Sequence, residues 1–99
     1  MMKDKKYNIS MQTPIGKKHG LITVSSDGGV IRGILSVLNH SEPFEGMIDQ
    51  NGCCSIKGKI VTLLKTVQYT ANGVINEENI RLKVEAVNKI FEVTGEAVR

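Results

Sequence analysis

Two histidines are the first side chains of this chain to consider for chemistry, because histidine readily serves as a general base or a metal ligand near neutral pH. His19 and His40 both lie at predicted turns. Neither belongs to an arrangement of carboxylate and nucleophile that defines a known catalytic set. His40 is the better candidate, because Phe44 follows it at the start of a predicted strand, where it would lie near the mouth of a barrel.

The two cysteines, Cys53 and Cys54, are adjacent in the sequence. Adjacent side chains of a strand point to opposite faces, so a disulfide between them would be strained. Two cysteines also fall short of the roughly four ligands of a structural zinc site. A redox or metal pair is one interpretation. The other is one buried thiol and one exposed thiol in a reducing compartment.

The remaining motifs predict no cofactor and no metal ion. Residues 25–29 read SSDGG, which matches neither a P-loop nor a dinucleotide-binding motif and is typical of a hairpin turn. Asp49 and the turn after it offer one carboxylate, too few for a calcium loop. We therefore expect a protein that is not an enzyme, with no catalytic residues.

Length and charge indicate one small domain spanning residues 1–99, with residues 1–4 disordered. The net charge is +3, and five lysines lie within the first eighteen residues. This cluster is either an anion-binding or nucleic-acid-binding end, or a solvated terminus and turn. No apolar h-region follows the basic N-terminus, and no apolar run is long enough to span a bilayer. We expect a cytoplasmic location and no membrane partner.

Apolar and polar residues alternate between closely spaced turns, and no sustained period of 3.6 residues is present. This pattern predicts an all-β domain: an antiparallel up-and-down meander of about eight strands that forms a small barrel or half-barrel. The predicted strands cover residues 5–13, 20–26, 30–39, 43–49, 53–63, 66–75, 79–87 and 90–98.

Five of these strands contain a glycine with an apolar residue two places before it and two places after it. Because side chains alternate between the faces of a strand, each glycine is predicted to point inward. An inward glycine has no Cβ to crowd the interior and lets a strand coil sharply, which curves a sheet into a barrel. The five are Gly33, Gly46, Gly58, Gly73 and Gly95.

Two interpretations of the interior remain open: a packed core, or a cavity cleared by the glycines. Eight strands leave room for packed side chains or for one small ligand. A cavity would be mostly apolar, with the Tyr69 hydroxyl as its polar group. The predicted inward side chains are Tyr7, Ile31, Leu35, Phe44, Ile48, Cys54, Ile56, Ile60, Tyr69, Ile75, Leu82, Val84 and Phe91. The candidate ligand-binding residues are Phe44, Tyr69, Phe91, His40 and Tyr7.

Several segments carry a resemblance: TPIG at 13–16, PFEGMID at 43–49, Gly58 and YTANGVI at 69–75. In these segments the chain resembles a group of small, uncharacterised, single-domain all-β bacterial proteins. The resemblance implies a compact antiparallel barrel or half-barrel, and it implies no activity, substrate or cofactor. The architecture is also similar to that of lipocalin-like (calycin) barrels, as an analogy of fold alone.

Two functions follow as expectations. The first is a non-enzymatic barrel that binds a small apolar or amphipathic molecule in its interior. The alternative is a structural or interaction module, acting as a homodimer or accessory subunit, because Met47, Val61 and Val74 fall on the outward face. Nucleic-acid binding is not expected, since the aromatic residues fall on the inner face and basic and acidic residues mix on the outer one.

Overall fold

The computed structural model describes residues 4–13, 16–37, 40–61, 64 and 66–98. Eight antiparallel strands run up and down in sequence order, and β1 pairs with β8 to close the barrel. The predicted fold class is therefore confirmed. The strands are β1 (Lys5–Thr13), β2 (Gly16–Asp27), β3 (Val30–Val37), β4 (His40–Ile48), β5 (Cys53–Val61), β6 (Thr66–Ile75), β7 (Asn79–Ala86) and β8 (Lys89–Ala97).

The strand boundaries correct the predicted positions of both histidines. β2 begins at Gly16 and β4 begins at His40, so the histidines predicted at turns lie in strands. The reason is that pairing continues up to the turns: Gly16 pairs with Thr13, and His40 pairs with Val37. Residues 38–39 and 62–63, predicted as strand ends, lie outside the described residues, as do residues 1–3 of the predicted disordered segment.

The core consists of the inward face of all eight strands. Every side chain predicted to point inward is either buried or packed against the buried cluster, as the alternation required. Leu35, Ile48, Ile60 and Phe91 belong to the second, partly buried group. The buried side chains of the described residues are all hydrophobic, so the interior is apolar throughout.

The five glycines face inward as predicted, but the space beside them is filled. A Cβ on Gly46 would meet the carbonyl oxygen of Ser55, and a Cβ on Gly73 would meet that of Arg81. A Cβ on Gly33 would lie 2.7 Å from Cζ of Phe44, so an aromatic ring covers this glycine. The glycines therefore allow strands and rings to approach closely, and they do not clear a cavity.

One end of the barrel carries the connections β2–β3, β4–β5 and β6–β7, and we call it the sealed end. There, a backbone amide beyond each connection donates to a carbonyl in that connection. Gly29 and Gly52 supply two of these carbonyls, each with φ at +86°, a conformation that disfavours residues with a Cβ. The bonds are Ile48 N to Gly29 O (3.0 Å), Ile75 N to Gly52 O (2.9 Å) and Ala97 N to Glu78 O (2.8 Å).

The opposite end carries the tips of the hairpins β1–β2, β3–β4, β5–β6 and β7–β8, and we call it the splayed end. Each hairpin keeps its internal pairing up to its turn, and the ladders on both sides of the β5–β6 hairpin stop short of it, whereas the β2–β3 ladder reaches Val37, the last residue of β3. The β4–β5 ladder stops at the pair Phe44–Gly58, and the β6–β7 ladder stops at Thr70–Glu85. Pro43, the first β4 residue beyond its ladder, has no backbone N–H to donate.

Candidate functional site

A groove of about 1130 Å³ lies at the root of the β5–β6 hairpin. This hairpin separates from β4 on one side and from β7 on the other, and residues from both gaps and from the β7–β8 turn (86–90) line the groove. Gly33, Phe44, Gly58 and Tyr69 contribute from the inward face of the wall, and charged side chains contribute from its outward face. The groove is therefore where the apolar interior comes nearest to charged surface groups.

Phe44 and Tyr69, two of the predicted ligand-binding residues, lie on either side of Gly58. Strand register pairs Gly58 with Phe44 of β4 and with Tyr69 of β6. A Cβ on Gly58 would lie 2.7 Å from the Tyr69 hydroxyl oxygen and 3.1 Å from Cβ of Phe44. The missing side chain of Gly58 thus gives the phenol room to lie across β5, with its hydroxyl over the glycine.

The Tyr69 hydroxyl has no hydrogen-bonding partner among the described residues, and it is not one of their buried polar atoms. Since the ring itself is buried, the oxygen is the part of this side chain that reaches the groove. Burial raises the pKa of Tyr69 to about 12. The phenol therefore keeps its proton at neutral pH and offers one O–H donor to an incoming group.

Basic side chains flank this hydroxyl on the outer face. Lys57 and Lys59 come immediately before and after Gly58, and Arg32 lines the same groove from β3. Glu45 and Glu85 also line the groove, and register places Glu45 between Arg32 and Lys57. Glu45 can therefore pair with either neighbour, whereas Lys59 lies opposite the neutral Gln68.

The other three predicted ligand-binding residues lie elsewhere. Tyr7 is buried near the sealed end, and its hydroxyl donates a 2.6 Å hydrogen bond to the carbonyl oxygen of Asn76. Burial raises the pKa of Tyr7, and the nearby Glu77 carboxylate raises it further. This hydroxyl is therefore committed to the fold, and Tyr7 does not line the groove beside Tyr69.

Phe91 and His40 both lie at the splayed end but outside the groove. Phe91 is half-buried and packs against the core from β8. His40 is half-buried at the start of β4 and lines a separate cleft of about 570 Å³ between β2 and β3. The structure therefore brings together Phe44 and Tyr69 from the predicted set, and it does not assemble all five residues.

The remaining chemical groups form no metal or disulfide site in the described part of the chain. No cluster of three or more metal-ligating side chains occurs there. Cys53 is exposed and Cys54 is buried, and both are free, as the interpretation of one buried and one exposed thiol predicted. Burial raises the pKa of Cys54 to about 11, so this thiol is protonated at neutral pH.

The sequence did not indicate Lys57 and Lys59 as site residues. The sequence does not reveal the strand register that places Phe44 and Tyr69 opposite Gly58. An aromatic ring over a glycine is a known pairing in curved sheets, and the sequence contains both partners. Whether the two partners meet depends on which residues of neighbouring strands lie opposite each other, and only the tertiary structure sets that pairing.

Comparison of the chain with protein-family models, with curated proteins and with solved structures finds no match. Among the described residues, no helix has the length and hydropathy needed to cross a bilayer. The geometry of the groove is therefore the main guide to function.

Proposed function

We propose that this protein is a small binding barrel that takes an amphipathic molecule with a hydrogen-bond-accepting head group in the groove beside Tyr69. The single observation that carries the proposal is the Tyr69 hydroxyl. It is a proton donor without a partner among the described residues, set at the edge of an apolar interior. Because this oxygen reaches the groove, a ligand acceptor bound there would take its hydrogen bond in place of water.

The chemistry of the groove favours an acidic head group over a basic one. The hydroxyl is held in its donor form, and Lys57 and Lys59 flank it on the strand below. A carboxylate or a similar anion accepts hydrogen bonds from such donors, and charge-assisted bonds are stronger than neutral ones. The apolar part of the ligand would lie between the β5–β6 hairpin and its neighbours, as in an eight-stranded lipocalin-like barrel that binds at its mouth.

Binding of medium-chain fatty acids tests this proposal, with the corresponding primary alcohols and alkylamines measured alongside by titration calorimetry. Tyr69→Phe removes one hydroxyl and keeps the ring. We expect it to weaken binding of the acid by roughly 2- to 10-fold, the range for one lost hydrogen bond. We expect the acid to bind more tightly than the alcohol, and the amine most weakly.

Tyr7→Phe is the matched control, because it removes the same atom from the other buried tyrosine, away from the groove. Its affinity should equal that of the unmodified protein. If none of the three amphipaths binds, or if both tyrosine variants bind the acid as tightly as the unmodified protein, the proposal is wrong.

Self-association is the second candidate, and one outward pair favours it. Met47 is exposed and lies opposite Val30, another exposed apolar side chain, and Val74 is also exposed nearby. Val61, the third residue predicted outward, is half-buried. Light scattering over a concentration series tests this candidate: a dimer that Met47→Thr dissociates supports it, and a monomer at every concentration excludes it.

A further inference from the structure

The apolar side chains with the highest exposure gather at the splayed end. Four large hydrophobic side chains among the described residues are more than half exposed: Leu64 (94%), Ile90 (66%), Met47 (62%) and Val87 (61%). All except Met47 lie at the tips of the neighbouring hairpins β5–β6 and β7–β8. Single exposed apolar residues are ordinary, but three at adjacent tips of one end form an apolar edge.

Basic side chains surround this edge. Within the last three residue pairs of the four hairpins at the splayed end lie Lys17, Lys18, Lys59 and Lys89, against the two carboxylates Glu42 and Glu85. The connections at the sealed end have the opposite character, since they contain Asp49, Glu77 and Glu78. The barrel therefore has one end with basic, apolar hairpin tips, and another end where acidic connections lie near Lys5 and Lys6 of β1.

The sequence of the turns repeats the same alternation. Among the described residues, the β7–β8 turn contains Val87 with Lys89 beside it, and Lys17, Lys18 and His40 lie beside the β1–β2 and β3–β4 turns. The segments at the sealed end read DGG, DQNG and NEEN and contain no aliphatic residue. The two kinds of turn alternate along the chain, and the up-and-down topology collects each kind at its own end.

Val87 adds an independent observation, because it is poorly suited to its backbone conformation. Val87 and Asn88 form the β7–β8 turn with φ of 50° and 62°, the left-handed region that a two-residue hairpin turn requires. Asn or Gly is usual there, and a β-branched residue is a conformational outlier. Since Val87 is mostly exposed, core packing does not account for it. An outlier of this kind points to a function.

We propose that the splayed end docks on the surface of an anionic lipid bilayer. Leu64, Val87 and Ile90 enter the boundary between head groups and acyl chains, and the surrounding lysines contact the lipid phosphates. This combination of aliphatic tips and a basic surround is the one that binds proteins to anionic membrane surfaces. It needs no spanning segment, so it is compatible with the lack of a long apolar run, but it departs from the expectation of no membrane partner.

Charge and side-chain type together favour lipid over nucleic acid as the occupant. A nucleic acid would also attract the lysines, but its bases stack on aromatic side chains, and the exposed tips are aliphatic. An aliphatic side chain in water gains most from an apolar phase, which a bilayer provides next to its anionic head groups. The inference does not depend on the proposed ligand of the groove.

The experiment is co-sedimentation of the full chain with vesicles of phosphatidylcholine alone or with about one third phosphatidylglycerol. The expected result is binding to the anionic vesicles only, weakened by added salt because of charge screening. The variant Val87→Asn/Ile90→Thr removes two aliphatic tips and keeps residues suited to a turn and a strand. It should lower the vesicle affinity by about tenfold.

Two matched controls test whether the losses of vesicle binding are specific to the aliphatic tips and to the lysines beside them. Met47→Thr removes a comparably exposed apolar side chain away from the splayed tips and should leave vesicle binding unchanged. Lys17→Gln/Lys89→Gln should lower the affinity by roughly tenfold. Lys6→Gln/Lys83→Gln, which lowers the net charge equally away from those tips, should have a clearly smaller effect.

Three results would overturn the proposal. One is no sedimentation with anionic vesicles at low salt. Another is an equal loss of vesicle binding in Val87→Asn/Ile90→Thr and in Met47→Thr. The third is tight binding to a single-stranded oligonucleotide, if Lys17→Gln/Lys89→Gln weakens that binding and Val87→Asn/Ile90→Thr does not. The basic end would then bind nucleic acid. Val87, Lys89 and Ile90 also line the groove beside Tyr69, so Tyr69→Phe is the variant that separates the two surfaces: it should weaken fatty-acid binding and leave vesicle binding unchanged.

Discussion

At the sealed end of the barrel, each connection turns the chain and also accepts a hydrogen bond from a residue beyond it, whereas at the splayed end the ladders on both sides of the β5–β6 hairpin stop before its turn. The interior follows the same division except at Ile48, which is partly buried near the sealed end, and at Val37, which is buried near the splayed end. Ile31, Ile75 and Ile80 are almost completely buried near the sealed end, but Leu35, Ile60 and Phe91 are only partly buried near the other. One chain thus combines a cooperative half with a half of partly independent hairpins.

This difference suggests a division of roles. Regions with few buried apolar contacts and interrupted ladders open at lower free energy than the core. They are also where binding surfaces are commonly found, supported by a rigid scaffold. The groove and the apolar tips both belong to the splayed end, and the sealed end provides the scaffold. Four predictions test this comparison, from the largest expected effect to the smallest.

Truncation of a core isoleucine should cost far more at the sealed end. Ile75→Ala removes a buried side chain beside the Gly52 hydrogen bond, and we expect it to lower the free energy of unfolding by about 3–4 kcal/mol. Ile60→Ala, at a partly buried position in the β5–β6 hairpin, should cost about 1–2 kcal/mol. Urea unfolding monitored by circular dichroism measures both, and equal losses would contradict the division.

Replacing an inward glycine with alanine should cost more stability where the new Cβ meets backbone atoms than where it meets side-chain atoms. The Cβ of Gly73→Ala would meet the Arg81 carbonyl oxygen and lie 2.8 Å from Cα of Leu82, so we expect a loss of about 2–3 kcal/mol. The Cβ of Gly58→Ala would come nearest to the Tyr69 hydroxyl, which is the far end of a side chain that can move, and would lie 3.1 Å from Cβ of Phe44. There we expect about 1 kcal/mol, measured by the same unfolding experiment. A larger loss at Gly58 would contradict this reasoning.

Removal of the two buried tyrosine hydroxyls should affect stability unequally. Tyr7→Phe leaves the Asn76 carbonyl without its 2.6 Å partner and should cost about 1 kcal/mol. Tyr69→Phe removes a hydroxyl without a partner among the described residues and should leave stability unchanged or slightly raised. Thermal unfolding of the two variants side by side decides this, and a loss at Tyr69 as large as at Tyr7 would mean that its hydroxyl already has a partner.

Alkaline pH should reveal two of the three buried acidic groups, Cys54 and Tyr69; the third is Tyr7. Burial raises the pKa of the Cys54 thiol from 9.0 to about 11 and that of the Tyr69 phenol from 10.0 to about 12. Because both values are raised in the folded state, their stabilising contribution is complete below about pH 9 and is lost as the pH rises towards 12. Cys54→Ala should therefore lose less stability than the unmodified protein between pH 8 and 11.

Cys53→Ala is the matched control for that measurement, since its thiol is exposed. Its stability should fall with pH as steeply as that of the unmodified protein. If the two cysteine variants have the same pH dependence, burial of Cys54 does not contribute to the alkaline loss.

The sequence predicted most of the fold because the alternation of apolar and polar residues shows, within each strand, which face is buried. The alternation of Ile80, Leu82 and Val84 with Arg81 and Lys83 fixes which face of β7 is buried, independently of any other strand. Strand starts were less accurate where turn-forming residues such as Gly16 also take part in pairing. Such residues are compatible with both conformations, and only the partner strand decides between them.

The candidate site was predicted less completely. Phe44 and Tyr69 were named from type and inward position, and the structure brings them to one groove. Tyr7 was named on the same grounds, yet it lies near the other end with its hydroxyl bonded to Asn76. Type and face cannot separate these cases, because position along the barrel axis and access to a backbone carbonyl depend on packing between distant segments.

By itself the sequence determined the class of the fold, the inward face of each strand and the inward position of the five glycines, because these follow from the two-residue period of a β-strand. Only the tertiary structure decided that neighbouring strands and rings fill the space beside those glycines. It also decided that the hairpins separate at one end, where Tyr69 reaches a groove between them. The physical reason is that closure and register are set by pairing between strands, and no single strand contains that information.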